Sequence, residues 1–259
     1  MTAFSLGTVW EETIAFLRRE SGLLIPVALA IYGPAQLMLN FGMQAFMAMR
    51  TPGAAISWQG LLVLPGGALT LFGNLVIALL VIAPGISVGE ALRTGLRRLP
   101  VALGAMLMLG LAASLVTVFV SLGAFTVSGG AKAAGVVSLL LVLVMIPIGI
   151  LWLRLLLLPA VIAVEPVSAK DGIKRAWDLS RNNVLRLIGM WVLVLFLSIL
   201  LAMIEVFVIG SLVQLLKLGT GDAALAATLQ AVANGALEAM LSMGFAVYLA
   251  LAYRTLTGR

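Results

Sequence analysis

Six runs of apolar residues, each long enough to cross a hydrocarbon layer, constrain this chain more than any other feature: Leu23–Phe46, Leu61–Ala83, Val101–Val127, Val136–Val164, Val184–Leu216 and Ala223–Tyr253. A helix rises 1.5 Å per residue, so about 20 apolar residues cross the ~30 Å interior of a bilayer. The fourth, fifth and sixth runs exceed that length and are expected to tilt, kink or project. Pro147 and Pro159 mark where the fourth is expected to bend, because proline removes a backbone donor from a helix. Composition agrees: 63% of the residues are hydrophobic, 10% are charged, and mean hydropathy is +1.19. Soluble domains are about 45–50% apolar and about 25% charged. The expected fold is therefore an all-α polytopic membrane protein in a single membrane domain, with lipid as its solvent.

A net charge of +6 and a pI near 10.3 would suit a nucleic-acid partner. The cations instead lie beside the apolar runs, as the positive-inside rule requires, so no nucleic acid is expected. Arg18, Arg19, Arg93, Arg97, Arg98, Lys170, Lys174, Arg175, Arg181, Arg186, Arg254 and Arg259 fall on one side of six alternating spans, and only Arg50, Lys132 and Lys217 on the other. That bias makes the first side cytoplasmic, with both termini there. The opposite loops are short and rich in small residues (Ser128-Gly129-Gly130, Gly219-Thr220-Gly221). Residues Met1 to Glu20 read as an amphipathic helix and not as a cleaved signal peptide. Cysteine and histidine are absent. Disulfides, thiolate chemistry, imidazole catalysis and ordinary zinc sites are excluded with them. Met38, Met43, Met47 and Met49 suit gap-filling or lipid contact better than soft-metal binding, so no metal or cofactor is expected.

Three basic-side segments share one pattern. Thr8, Ser87 and Ser168 each precede an acid by three residues (Glu11, Glu90, Asp171), which is the capping-box arrangement of a helix start. A large apolar residue follows nine residues after each hydroxyl: Leu17, Leu96 and Trp177. The hydroxyls are 79 and 81 residues apart, which suggests three repeat units of approximately 5–83, 84–164 and 165–253. Each unit would be an amphipathic cytoplasmic helix followed by two membrane helices, all in one orientation. Convergent capping of unrelated helices is the alternative. The amphipathic helices suit the lipid headgroup layer, with Arg18, Arg19, Arg97, Arg98, Lys174, Arg175 and Arg181 as candidate contacts to anionic lipid. Otherwise they are solvated connectors.

Polar residues within the runs are the other clue, since a charge at the centre of a membrane helix costs roughly 2.5–3.5 kcal/mol. Arg154, Glu205 and Glu238 lie inside the fourth, fifth and sixth runs. Counting from the far-side ends places Glu238 deep and Glu205 nearer the surface, so Glu238 is the expected partner of Arg154. Asn74 and Asn234 lie 66 residues after Thr8 and Ser168, and Arg154 lies 67 after Ser87. If the repeat closes around an axis, Asn74, Arg154, Asn234 and Glu238 form one polar layer, which serves either as a structural lock or as a ligand or ion site. Ala227, Ala231, Gly235 and Ala239 recur every four residues and should bring the sixth span into the interior.

The stretch Arg154 to Gly189 contains Arg154, Pro159 and Glu165, then Trp177, Leu179, Ser180 and Arg181 before Asn182-Asn183. It resembles the membrane domain attached to some bacterial glycerophosphoryl diester phosphodiesterases, and that domain's stand-alone relatives. The resemblance implies a six-helix bacterial inner-membrane domain. It implies no catalysis, since hydrolysis in those proteins belongs to an attached soluble barrel with acidic ligands and histidine. The expected function is that of a non-enzymatic module interacting with anionic membrane lipids, with a membrane partner or with a second copy of itself. The alternative is a transporter or channel for a small solute or ion at the intramembrane polar layer.

Overall fold

The structure, a computed structural model, describes the whole chain except residues 1–5, 49–56, 84, 129–132, 182 and 259. Arg50, Lys132 and Arg259 of the charge count, Met49 of the methionines, Gly129 and Gly130 of the far-side loop, and Asn182 of the motif lie outside the described residues. Nine α-helices make up the described fold: α1 Leu6–Ala48, α2 Val63–Ile82, α3 Val88–Ser128, α4 Ala133–Arg154, α5 Leu158–Val164, α6 Ala169–Ser180, α7 Val184–Ile204, α8 Gly210–Thr220 and α9 Ala223–Thr257. A 3-10 turn, Trp58–Leu62, leads into α2, and a π-helical turn, Glu205–Ile209, joins α7 to α8. No strand occurs among the described residues. Among the described residues six stretches are long and apolar enough to cross a membrane.

Helix starts obey local chemistry in two of the three expected places. At α3 the Ser87 hydroxyl accepts from the Glu90 amide at 3.2 Å, and the Ser87 amide donates to Glu90 Oε2 at 3.1 Å, a reciprocal capping box. At α6 the Ser168 hydroxyl accepts from the Asp171 amide at 3.3 Å. The first place departs from expectation. Helix α1 is already running at Leu6, so Thr8 lies inside it and not at a cap position.

The amphipathic segments also depart from expectation. In the first two they are not separate helices, because α1 and α3 run unbroken for 43 and 41 residues from their polar beginnings into their apolar parts. At 1.5 Å per residue α1 is about 64 Å long, roughly twice the hydrocarbon thickness. A continuous helix cannot lie in the headgroup plane and then cross the bilayer, so its Arg18-Arg19 turn must project or tilt. Only the third segment is a separate helix, α6, with Asn183 leaving helical geometry (φ −127°, ψ 15°) before α7 begins.

Proline acts where it starts a helix and not where it interrupts one. Pro147 sits within an unbroken α4. The fourth apolar run breaks instead at residues 155–157, and Pro159 occupies the first turn of α5, where its missing N–H would have had no intrahelical acceptor.

Helix α1 packs along α9 and α2, and α2 in turn packs on α3, α5 and α9. The α1–α9 seam uses the inner half of the expected small-residue stripe, Gly235 and Ala239, while Ala227 is exposed and Ala231 half-buried. Ala239 is fully buried, and a Cβ on Gly235 would meet Leu37 at 3.5 Å. Glycine also permits the closest helix approaches: a Cβ on Gly73 would lie 2.6 Å from the Tyr32 ring, and one on Gly42 would lie 2.7 Å from the Val63 backbone nitrogen.

Burial is uneven along the bundle. The core is built from Val9 to Ala35 of α1, Leu75–Val81 of α2, Leu155–Ala163, and Met243–Tyr253 of α9, all at the end that carries the basic residues. Toward the other end the large apolar side chains are uncovered, among them Leu107, Phe119, Phe196, Phe207 and Leu229. The most apolar stretch of the run Val184–Thr220 is 0% buried inside the bundle, against 56% for that of Ala224–Thr257. Helix α9 is therefore the central post, and α7 with α8 lies at the margin.

Candidate functional site

Polar side chains recur every fourth residue along the buried side of α1, at Tyr32, Gln36 and Asn40, and a four-residue step keeps them on one helix face. Each finds a partner on a neighbouring helix. The Tyr32 hydroxyl donates to Asn74 Oδ1 of α2 at 2.8 Å, Gln36 Nε2 donates to the Ser242 hydroxyl of α9 at 3.1 Å, and Asn40 Nδ2 donates to Glu238 Oε2 at 3.1 Å. Moving four residues up α1 moves the partner four residues down α9, the register of an antiparallel pair. These bonds clip α1 to α2 and α9 where hydrocarbon offers no competing donors.

The expected Arg154–Glu238 pair does not form. Arg154 is the last residue of α4, and its guanidinium lies 4.2 Å from the centre of the Trp177 ring on α6. Its Nε is buried and has no hydrogen-bond partner among the described residues. Contact with an aromatic face offsets part of the cost of desolvating the cation. The break at residues 155–157 accounts for the difference, because it turns α5 and α6 back beside the end of α4 and brings Trp177 to the arginine. Asn74, Arg154, Asn234 and Glu238 accordingly do not form one layer. Asn74 belongs to α1–α2, Arg154 to α4–α6 and Glu238 to α1–α9.

A second grouping takes its place. The π turn carrying Glu205 packs against α9, within electrostatic reach of Glu238. The two acids therefore share a level, contrary to the expectation that Glu205 lies nearer the surface. Glu205 Oε1 and Asn234 Oδ1 are both buried without a hydrogen-bond partner among the described residues. Glu238 precedes Arg254 by 16 residues, about 24 Å along α9, so the group lies in the half of the bundle away from the basic end. Two carboxylates and an amide carbonyl are oxygen acceptors, suited to a proton or a small cation. Among the described residues no group of three or more His, Cys, Asp or Glu could hold a metal ion.

At the basic end Glu165 is a junction. It accepts the Tyr253 hydroxyl of α9 at 2.7 Å and lies 3.4 Å from Arg175 of α6, which ties the α5–α6 turn to the central post. Arg254 pairs with Glu12, and Arg19 pairs with Glu20 at 3.0 Å while resting 5.5 Å from the Phe16 ring centre. Of the candidate lipid contacts, Arg18, Arg19, Arg97, Lys174, Arg175 and Arg181 are exposed and Arg98 is half-buried. Sequence reasoning passed over Tyr32, Gln36, Asn40, Ser242 and Tyr253. The four-residue polar rhythm within the first apolar run was the signal for the first three.

Long apolar helices clipped by internal polar bonds, with uncovered apolar flanks, define an all-α polytopic membrane protein. Over residues 5–256 the chain matches the family described as a domain of unknown function, DUF7847, and it belongs to that family. No curated protein matches it, and no solved structure does. The family match makes no connection to the phosphodiesterase-associated membrane domains that the Arg154 to Gly189 stretch resembles.

Proposed function

We propose that this protein is a non-enzymatic module of a bacterial cytoplasmic membrane, with both termini in the cytoplasm, that works by binding anionic lipid or a membrane partner at its basic end. The observation that carries this reading is the separation of packing from charge at that end. The buried core is concentrated there, while Arg18, Arg19, Arg97, Lys174 and Arg181 stay exposed around it. Such a rigid, cationic end attracts anionic headgroups at about 1 kcal/mol per charge near the surface. The resemblance of the Arg154 to Gly189 stretch to a membrane domain without catalytic residues supports it. Purification in native lipid, followed by mass spectrometry, tests it. Anionic lipids enriched over the bulk membrane, or a stoichiometric partner, are expected; a lipid complement identical to the bulk with no partner would overturn it.

A second reading, transport of a proton or small cation, draws on Glu205, Glu238 and Asn234, whose Oδ1 has no hydrogen-bond partner among the described residues. It predicts a cation flux in proteoliposomes that Glu238→Gln abolishes. Equal flux in empty liposomes would dispose of it.

A further inference from the structure

At the basic end a cavity of about 350 Å³ opens between α1, the turn joining α2 to α3, and the last turns of α9. Its lining is mixed: Phe16, Leu80 and Ile86 among others supply apolar surface, and Arg19, Arg254 and Glu20 supply the charged part. We propose that this cavity is a discrete binding site for the phosphate group of an anionic phospholipid, with the glycerol end of the acyl chains against the apolar surface. The inference rests on the lipid-binding reading above and gives it a location.

Three observations converge. The first is size, since small-molecule pockets run from roughly 300 to 1,000 Å³. The second is level: Arg19 stands just before the apolar run of α1 begins, and Arg254 just after that of α9 ends. Both guanidiniums therefore stand at the boundary where headgroups reside, above apolar surface suited to hydrocarbon. The third is chemistry. Two arginines from opposite ends of the chain face one space with a single carboxylate, which leaves the lining net positive. Guanidinium presents paired N–H donors that match phosphate oxygens bidentately, as an ammonium cannot.

Both arginines already hold carboxylates, one pair exposed and the other half-buried. The Arg19 and Glu20 side chains are 71% and 38% exposed, and those of Arg254 and Glu12 are 32% and 42% exposed. An ion pair open to solvent contributes little, so a phosphate displaces Glu20 from Arg19 at small cost, while Arg254 can meet it with the guanidinium N–H groups that Glu12 leaves free. Glu20 then acts as a built-in competitor for Arg19.

The test is native mass spectrometry of the full chain in neutral detergent, titrated separately with phosphatidylglycerol, phosphatidylcholine and inorganic phosphate. Saturable retention of one phosphatidylglycerol, well above phosphatidylcholine, is expected. Arg19→Gln with Arg254→Gln should weaken it about tenfold or more, the scale of losing charge-assisted bonds. Arg93→Gln with Lys170→Gln removes the same charge outside the cavity and should change it little. Glu20→Gln, which frees Arg19 and removes no cation, should tighten it, and this arm stands even if the arginine variant fails to fold. Equal losses in the two double variants would overturn the discrete site and leave diffuse attraction intact. Phosphate bound as tightly as phosphatidylglycerol would make the site one for free anions. No preference for phosphatidylglycerol in the unaltered chain would overturn the site and the lipid-binding reading together.

Discussion

Asn40 donates to Glu238 at 3.1 Å, and in doing so joins the two longest-packed helices of the bundle through an amide and a carboxylate. Polar bonds between membrane helices average about 0.6 kcal/mol and reach about 1.7. A double-mutant cycle with Asn40→Leu and Glu238→Leu, followed by thermal unfolding in detergent, should return a coupling in that range. The cycle pairing Arg154→Met with Glu238→Gln should be additive within about 0.3–0.5 kcal/mol, because the arginine rests on Trp177 instead. Strong coupling in the second cycle and none in the first would reverse these assignments. That Arg154 and Glu238 need partners was legible, since charge in an apolar run demands one. Which partner was not, because an amide, a ring face and a carboxylate all meet the need and only helix positions choose.

Helix α1 shows the same division at the level of an element. Between Arg19 and Leu23 the chain reads Glu20-Ser21-Gly22, and a single glycine there does not break a helix whose apolar part packs along α2 and α9. The polar beginning therefore continues into the span. In the third segment Asn183 leaves helical geometry, and α6 becomes a separate helix that can fold against α5, with Gly172 admitting Ile162. Capping at Ser87 and Ser168 was readable because it is local chemistry three residues long. Close approach was not readable in the same way. Gly42 should tolerate no side chain, since its Cβ would lie 2.7 Å from a backbone nitrogen, whereas Gly67 has nothing within 4 Å. Gly42→Ala should cost about 1–3 kcal/mol, the range for overpacking, and Gly67→Ala should stabilise slightly or leave stability unchanged. A melting temperature that falls equally in both variants would contradict the hairpin geometry at Gly42.

For the whole molecule, the positive-inside bias and the burial gradient make separate claims that one set of proteins can check. The chain has no cysteine, so single cysteines report cleanly. Ser87→Cys and Ser168→Cys should label from the cytoplasmic face only, and Asp222→Cys from the opposite face only; all three residues are exposed. Labelling of Ser87→Cys and Asp222→Cys from the same face would refute the topology. Spin labels at Phe196→Cys and Phe207→Cys should collide readily with lipid-dissolved oxygen, since both residues are uncovered. A label at Ala239→Cys, fully buried in the α1–α9 seam, should collide rarely if the protein folds around it.

By itself the sequence determined the number and approximate limits of the spans, the charged end, two helix starts and the interior place of α9. Each follows from hydrophobicity, charge or capping, properties that neighbouring residues carry with them wherever the chain goes. Tertiary structure alone decided that Tyr32, Gln36 and Asn40 meet Asn74, Ser242 and Glu238, that Glu205 reaches the level of Glu238 through a π turn, and that Arg19 and Arg254 share one cavity. Those pairings depend on helix rotation and register. Apolar spans leave both open, because lipid solvates every apolar face about equally well, and close packing of small residues with a few polar bonds selects among them.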